Sequence, residues 1–369
     1  MQIQEINRKI REKSLTKIKQ KQEYGKNKPL ESFSASWANM DRLYEEIGYT
    51  IFIVLPTSGC QWAKDTGGCT MCSYITDSSL INLTPDEINR IFQEEWEKQI
   101  SKINLKEHQS IAVKIFVSGS FLNTNEIPIE SRNQILDTLN QCTQLKEVII
   151  ESKPEYINQS TLLEVIKRIP EKTFEIGIGL ETLNEETRLE KINKGITNKQ
   201  FEESVNTINS IKEYDIRAKA YLLVKPILIS EKQAIQEAID SAVYAYEKGV
   251  KRIAYCPATI HSHTFMEYLW KRGAYQPPWI WSTIEIIKQA TKKVDIPIIM
   301  DTAGFGTRRG PFNCKKCNEK LKNLIVEYNQ KQKIPEELEN YSCSCQDNWK
   351  ADLEFTDILQ TTTNPKDYL

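Results

Sequence analysis

Histidine is nearly absent from this 369-residue chain: His108, His261 and His263 are the whole supply. His108 stands far from the other two, which argues against a histidine trio holding a catalytic metal. Charge of one sign is also missing. Lys and Arg number 49 against 50 Asp and Glu, a formal net charge of −1, so any case for nucleic acid must be local. No window approaches twenty apolar residues, which gives no membrane-spanning helix and no membrane partner. The N-terminal residues are polar and lack the apolar centre of a signal peptide, so a cytoplasmic location is the expectation. With 40% hydrophobic and 27% charged residues, the balance is that of a globular chain rather than a disordered one. Cysteine is what the chain does hold: nine, an odd number, mostly in close clusters. That usage suits metal binding in a reducing compartment better than disulfides.

The first cluster lies in Leu55–Tyr74, LPTSGCQWAKDTGGCTMCSY, where Cys60, Cys69 and Cys72 are spaced C-x8-C-x2-C. Before it, the run Tyr49–Leu55 is β-branched and aromatic and reads as a buried strand ended by Pro56 and Ser58-Gly59. Three thiolates at the end of a first core strand can hold three irons of a cubane cluster and leave the fourth iron open. Purely electron-transferring clusters usually take four cysteines. Cys69-x-x-Cys72 alone is equally compatible with half a zinc knuckle, a redox pair or two small residues in a turn. Gly59, Gly67 and Gly68 favour a tight, ligand-wrapping loop.

Beyond this loop the chain alternates. Helices are predicted from Thr84-Pro85 to Ser101, over Ile129–Thr138, Gln159–Arg168, Phe201–Tyr214, Glu231–Lys248 and Thr283–Thr291. Between them fall strands at Val113–Val117, Glu147–Ile150, Thr173–Ile178, Arg217–Val224, Arg252–Tyr255 and Ile296–Met300. Such alternation predicts a parallel sheet with right-handed crossovers, and the number of βα units favours a partial or near-complete (β/α) barrel. Polar motifs follow the strands: Gly119-Ser120, Glu151-Ser152-Lys153, Glu181-Thr182, Lys225-Pro226 and Asp301-Thr302. In a barrel these ends converge on one face, so an enzyme is favoured over a scaffold.

Cys314-x-x-Cys317 and Cys343-x-Cys345 flank a helix-like stretch, Glu319–Gln330. Four thiols in two close pairs suit a tetrahedral Zn(II) site, with a second iron–sulfur cluster as the alternative. Cys142 is expected to be an inert thiol and Cys256 to line the barrel mouth. The first thirty residues carry an excess of six positive charges, with Ile3, Ile6, Ile10, Leu15 and Ile18 at helical intervals. This predicts a basic amphipathic helix packed on the body, its charged face either solvated or set against phosphates. Trp270, Tyr275, Trp279 and Trp281 beside Lys271 and Arg272 form either a nucleotide-stacking surface or a packed lid. Gly304, Gly306 and Gly310 around Arg308-Arg309 read as a mobile or phosphate-approaching loop, or as a linker.

Taken together, these motifs resemble the radical S-adenosylmethionine (SAM) enzymes of the Elp3-like kind, and within them the archaeosine synthase β-subunit family. The resemblance rests on Thr57-Ser58-Gly59-Cys60, Gly68-Cys69-Thr70-Met71-Cys72, Gly119-Ser120-Phe121 and Glu151-Ser152-Lys153-Pro154-Glu155. It continues through Gly177–Thr182, Glu267–Gly273, Pro311–Cys314 and Cys343-x-Cys345 with Trp349, in order from Trp37 to Leu353. It implies a barrel of the radical SAM type over residues 37–305; the basic helical extension over 1–36 lies outside the resemblance, and the four-cysteine metal module takes residues 306–369. By the same resemblance, Cys60, Cys69 and Cys72 ligate a [4Fe–4S] cluster whose open iron binds SAM. Gly119 and Ser120 would meet the methionine amino group; Glu151, Glu181 and Tyr74 would line the cofactor pocket. Lys225, with Glu181, is the candidate catalytic residue, offered to a lysine carboxylate ahead of Lys153, Arg308 or Arg309.

The implied reaction is radical hydrogen abstraction from a lysine joined to 7-cyano-7-deazaguanine in tRNA. It takes place beside the new nitrogen, and C–N cleavage then leaves archaeosine. The implied partners are tRNA, the transferase subunit and an electron donor. Met71 stands where the family usually has an aromatic residue. Two alternatives remain: radical chemistry on another nucleoside or small molecule, and a zinc-stabilised nucleic-acid-binding protein without catalysis.

Overall fold

The computed structural model describes residues 3–24, 33–79, 82–103 and 110–359; His108, Lys26 and Lys28 lie outside them. Eight strands form one sheet in sequential order: β1 (Ala35–Arg42), β2 (Ile47–Val54), β3 (Ile111–Phe116), β4 (Leu145–Glu151), β5 (Thr173–Glu181), β6 (Ile216–Val224), β7 (Arg252–Pro257) and β8 (Ile298–Met300). β1 pairs antiparallel with β2, and every later pairing is parallel. The result is an open, curled (β/α) barrel.

Helices α1 (Ile3–Tyr24), α2 (Gln61–Thr66), α3 (Pro85–Ile100), α4 (Ile129–Asn140), α5 (Gln159–Ile166), α6 (Asn198–Ser210) and α7 (Glu231–Glu247) accompany the first six strands. They are followed by α8 (Phe265–Lys271), α9 (Ile280–Ala290), α10 (Asn318–Lys331), α11 (Glu336–Asn340) and α12 (Gln346–Leu359). Local chemistry sets their starts. Thr84 and Glu87 form a capping box with Pro85 at the first position of α3, and Thr197 with Gln200 does the same for α6.

Alternation on the strands divides two environments. Ile51, Ile53, Val113, Ile115, Val148, Ile150, Ile176 and Ile178 are fully buried and join the helices in one contiguous core. The opposite face carries charge toward the strand beginnings. Arg252 meets Glu147 at 3.0 Å and Glu175 at 3.3 Å, Lys219 meets Glu175 at 3.4 Å, and Lys114 meets Asp41 at 2.7 Å. Tyr44, in the turn after β1, lies against the guanidinium groups of Arg252 and Arg217 at 3.8 and 4.0 Å. Buried charges persist only when paired, and here each has a counter-charge.

Besides the short helices α2 and α11 and the last helix α12, β1 and α8 escape the sequence reading. β1 (ASWANMDR) has few β-branched residues and a half-exposed pattern, so it gives little strand signal. Its structure comes from pairing with β2 along all eight positions. α8 falls inside the aromatic run, where Thr264 accepts a hydrogen bond from Glu267 N and caps it. The barrel stays open because no β1–β8 pair forms among the described residues. The free edge of β8 is instead satisfied by α10. Asn329 accepts from Met300 N at 2.9 Å and donates to Met300 O at 2.8 Å; Gln332 does the same for Ile298 at 2.9 and 3.2 Å. Side-chain amides here stand in for a missing strand.

Candidate active site

Three cysteines follow β2 on a loop held from several sides. Gly59, Gly67 and Gly68 have φ of +100°, +85° and +77°, conformations that side chains resist, and Gly67 ends α2 as its left-handed cap. Thr70 N donates to Ile192 O at 2.9 Å and Thr70 Oγ1 to Lys191 O at 3.0 Å. Asn193 Nδ2 donates to Gly68 O at 2.8 Å, while Trp62 Nε1 donates to Asn193 O at 2.7 Å. These bonds tie the cysteine loop to the π-helical turn Thr187–Ile192 after β5. All three cysteines are partly buried. Burial raises the thiols of Cys60 and Cys72 and pushes Cys69 up to about 12.

Whether this loop fits an iron–sulfur cluster turns on its donor set. It presents three thiols, with Arg11 and Lys194 as nearby cations to offset thiolate charge. Among the described residues only Cys314, Cys317, Cys343 and Cys345 gather all their ligand atoms within 4.8 Å. The residues of the N-terminal loop fit the cluster. Met71 packs beside Cys69 against the apolar cluster that holds Ile3, Ile6 and Ile192, so its role here is packing.

The other expected residues fall into distinct settings. Ser120 is fully buried, its hydroxyl accepting from Lys153 N at 3.0 Å, which joins the ends of β3 and β4. A Cβ at Gly119 would strike the Glu126 carboxylate, so any side chain there would have to displace Glu126. Glu126 accepts from Ser120 N at 3.3 Å and Asn123 Nδ2 at 3.1 Å, and burial pushes its carboxyl up. Sequence reading missed Glu126, since no spacing rule connects it to Gly119. Glu151 ends β4; burial raises its carboxyl despite the opposing charges of Lys194 and Lys219. Tyr74 is half-exposed, with Glu151, Cys72, Cys256 and Asp301 among the charges that act on its hydroxyl. Cys256 has Asp301, Glu181 and Glu151 as its charged neighbours, which places it at the barrel mouth as expected.

Lys225 is not a free cation. Its Nζ is 2.5 Å from Glu231 Oε2, and both residues are buried. A different lysine serves the mouth. Lys194 Nζ pairs with Glu181 Oε1 at 2.7 Å, in space that Gly179 leaves by having no side chain. Burial opposes the charge on Lys194, but Glu181 and Cys69 outweigh it and raise its pKa. Lys194 lies in no motif, so only the fold reveals it. Arg309 binds Glu267 at 2.7 Å, while Arg308 and Arg309 both approach the Trp270 ring, at 5.5 and 5.0 Å. A cavity of ≈ 910 Å³ beside this loop is lined by residues including Trp279, Phe305, Arg308, Phe312 and Lys315.

The C-terminal four cysteines form a site able to hold a metal. Their sulfurs are 3.4 Å (Cys314–Cys317), 3.7 Å (Cys314–Cys343) and 3.6 Å (Cys317–Cys345) apart. A tetrahedron with about 2.3 Å metal–sulfur bonds has edges of about 3.8 Å. Trp281 Nε1 donates to Cys345 Sγ at 3.3 Å. Burial would raise Cys314, but hydrogen bonds from Cys317 and backbone N–H groups outweigh it and bring it down to about 7. Cys317 and Cys345 belong to the main core, so this site is continuous with the barrel.

An open (β/α) barrel with a three-cysteine loop after its first parallel strand defines a protein of the radical SAM superfamily. No family model matches the chain. It is 42% identical over 95% of its length, and 93% of the other chain, to an uncharacterized protein of Methanocaldococcus jannaschii. To the archaeosine synthase subunit beta of Methanosarcina acetivorans it is 33% identical, covering 91% of this chain and 94% of that one. With the archaeosine synthase subunit beta of Thermococcus kodakarensis the figures are 32%, 86% and 96%. The chain belongs to the archaeosine synthase β-subunit family. Among solved structures, an N-terminally truncated Elp3 from Methanocaldococcus infernus matches with a TM-score of 0.47 and 16% identity, over 68% of this chain and 61% of that one. A queuine lyase from Clostridium spiroforme, bound to SAM and queuine, matches with a TM-score of 0.42 and 21% identity, over 61% and 83%.

Proposed function

We propose that this chain is a radical SAM lyase of tRNA modification, acting on the lysine adduct of 7-cyano-7-deazaguanine and breaking a C–N bond to leave archaeosine. The observation that carries this reading is the near full-length similarity to two archaeosine synthase β subunits. Cys60, Cys69 and Cys72 would hold a [4Fe–4S] cluster, with SAM on the open iron. Together these groups would supply a carbon-centred radical for hydrogen abstraction beside the nitrogen.

The chain's own residues orient and enclose. Gly119 and Ser120, with Glu126 beneath them, form the floor on which the methionine amino group would sit. Glu151, Tyr74 and the Glu181–Lys194 pair line the mouth and limit water there. Lys225 would act through its pair with Glu231, whereas Arg308, with no ion pair to a carboxylate among the described residues, is the cation offered to the substrate's lysine carboxylate. The sulfur spacing of the C-terminal four supports one tetrahedral Zn(II). Residues 1–36, 37–305 and 306–369 are the working units of this reading. The near-zero net charge supports a partner transferase subunit that holds much of the tRNA, and an electron donor must serve the cluster.

Anaerobic reconstitution tests this in two stages. The brown, reduced protein should convert SAM to 5′-deoxyadenosine, and the Cys60→Ala, Cys69→Ala and Cys72→Ala variants should not. Lysine-adducted tRNA should then yield a nucleoside with the formamidine mass. Cleavage of SAM without that product would retain the radical class and overturn the substrate.

A further inference from the structure

The N-terminal helix does not simply rest its apolar stripe on the barrel. Arg11, which composition places among the solvent-facing basic residues of α1, is only 3% exposed. Its Nη2 donates to the carbonyl of Cys72 at 2.6 Å, its Nε to that of Gly67 at 3.2 Å and its Nη1 to that of His263 at 3.5 Å. One turn earlier, Asn7 Nδ2 donates to Gly67 O at 3.2 Å and also to Gly68 O. Helix and loop also meet closely at Gly67, where a Cβ would stand 2.6 Å from Arg8 N. Ile3 and Ile6 complete the contact by packing in the same apolar cluster as Cys69 and Met71.

A buried guanidinium needs a counter-charge, because removing an ion from water is expensive unless an opposite charge replaces the solvent. Among the described residues no carboxylate is in ion-pair contact with Arg11. The anionic groups that act on it are Cys72, Cys69 and Cys60, with Asp77 weakest. Its three hydrogen bonds go to carbonyls, so the positive charge itself is left for the thiolates.

We propose that α1 is part of the cluster site and that Arg11 is its positioning residue: it clamps the cysteine loop through the Cys72 and Gly67 carbonyls and neutralises part of the thiolate charge. A fixed cation beside a cluster favours the reduced state, since reduction adds one negative charge. This inference rests on the reading that Cys60, Cys69 and Cys72 hold a [4Fe–4S] cluster.

The test is a redox titration of the reconstituted full-length chain, followed by the electron paramagnetic resonance signal of the reduced cluster. Arg11→Met should make reduction about tenfold less favourable, 59 mV lower for a one-electron couple. Arg11→Lys, which keeps the charge, should lie near the wild type. Lys13→Met removes an equal but exposed charge from the same helix and should leave the potential unchanged. Equal potentials for Arg11→Met and wild type would overturn the inference. Should Arg11→Met fail to fold, Arg11→Gln, which keeps an N–H donor for the Cys72 carbonyl but removes the charge, decides: a tenfold less favourable reduction supports the inference and a wild-type potential overturns it. A wild-type chain that takes up no four-iron cluster at Cys60, Cys69 and Cys72 would instead refute the underlying assignment and the inference with it.

Discussion

Lys194 Nζ lies 2.7 Å from Glu181 Oε1, a contact between the end of β5 and the segment just after the π-helical turn. Glu181 is held at φ +63°, a conformation rare for a residue with a side chain, and the ion pair helps to keep its carboxylate at the mouth. Removing the lysine leaves a buried carboxylate without its partner. Lys194→Met should lower the rate of 5′-deoxyadenosine formation about 10²-fold, near 2.7 kcal/mol of barrier. The double variant Lys194→Met/Glu181→Gln should recover part of that loss. Wild-type rates in the single variant would show that the pair lies outside the reaction.

The Asp41–Lys114 pair gives a pH dependence with a definite sign. Burial raises the Asp41 carboxyl, but the charge and hydrogen bond of Lys114 at 2.7 Å outweigh it and bring it down to about 2. A carboxylate depressed on folding stabilises the native state fully above its unfolded value near 4, and the contribution disappears as pH falls through about 2. Asp41→Asn should therefore cost about 2 kcal/mol at pH 7, by the linkage of roughly 1.4 kcal/mol per tenfold change in proton affinity. The difference from wild type should shrink between pH 4 and pH 2. Urea denaturation across that range checks it; a gap that stayed constant would assign the loss to packing.

Metal binding at the C-terminal four should also be a stability property, because Cys317 and Cys345 sit in the main core. Cys314→Ser/Cys343→Ser should lose its zinc while iron at the N-terminal loop stays unchanged. Thermal unfolding should shift down by about 3 kcal/mol or more, the loss expected when a structural site is emptied. Elemental analysis beside a melting curve measures both. Iron lost together with zinc would overturn the division of metals.

Much of the fold was legible because its signals are local. Alternating βα units came through as β-branched runs separated by capped helices, and the C-terminal cysteines came through as spacing. α10 was readable as the bridge between the two cysteine pairs. Its second task, satisfying the β8 edge with Asn329 and Gln332, was not, since that depends on where β8 ends and β1 fails to meet it. β1 was invisible for a related reason: its residues are weak strand formers, and pairing with β2 determines its conformation.

The sequence by itself determined the chemistry available: three thiols on a glycine-rich loop, four more in two close pairs, and polar residues at successive strand ends. Residue type and short spacing are enough for that, because ligand identity is a local property. Only the tertiary structure decided which charges serve those groups. It committed Lys225 to Glu231, brought Lys194 to Glu181, put Glu126 under Gly119 and buried Arg11 against the cysteine loop. A buried charge acquires its role from the opposite charge that replaces its water, and that partner is fixed by the fold rather than by position along the chain.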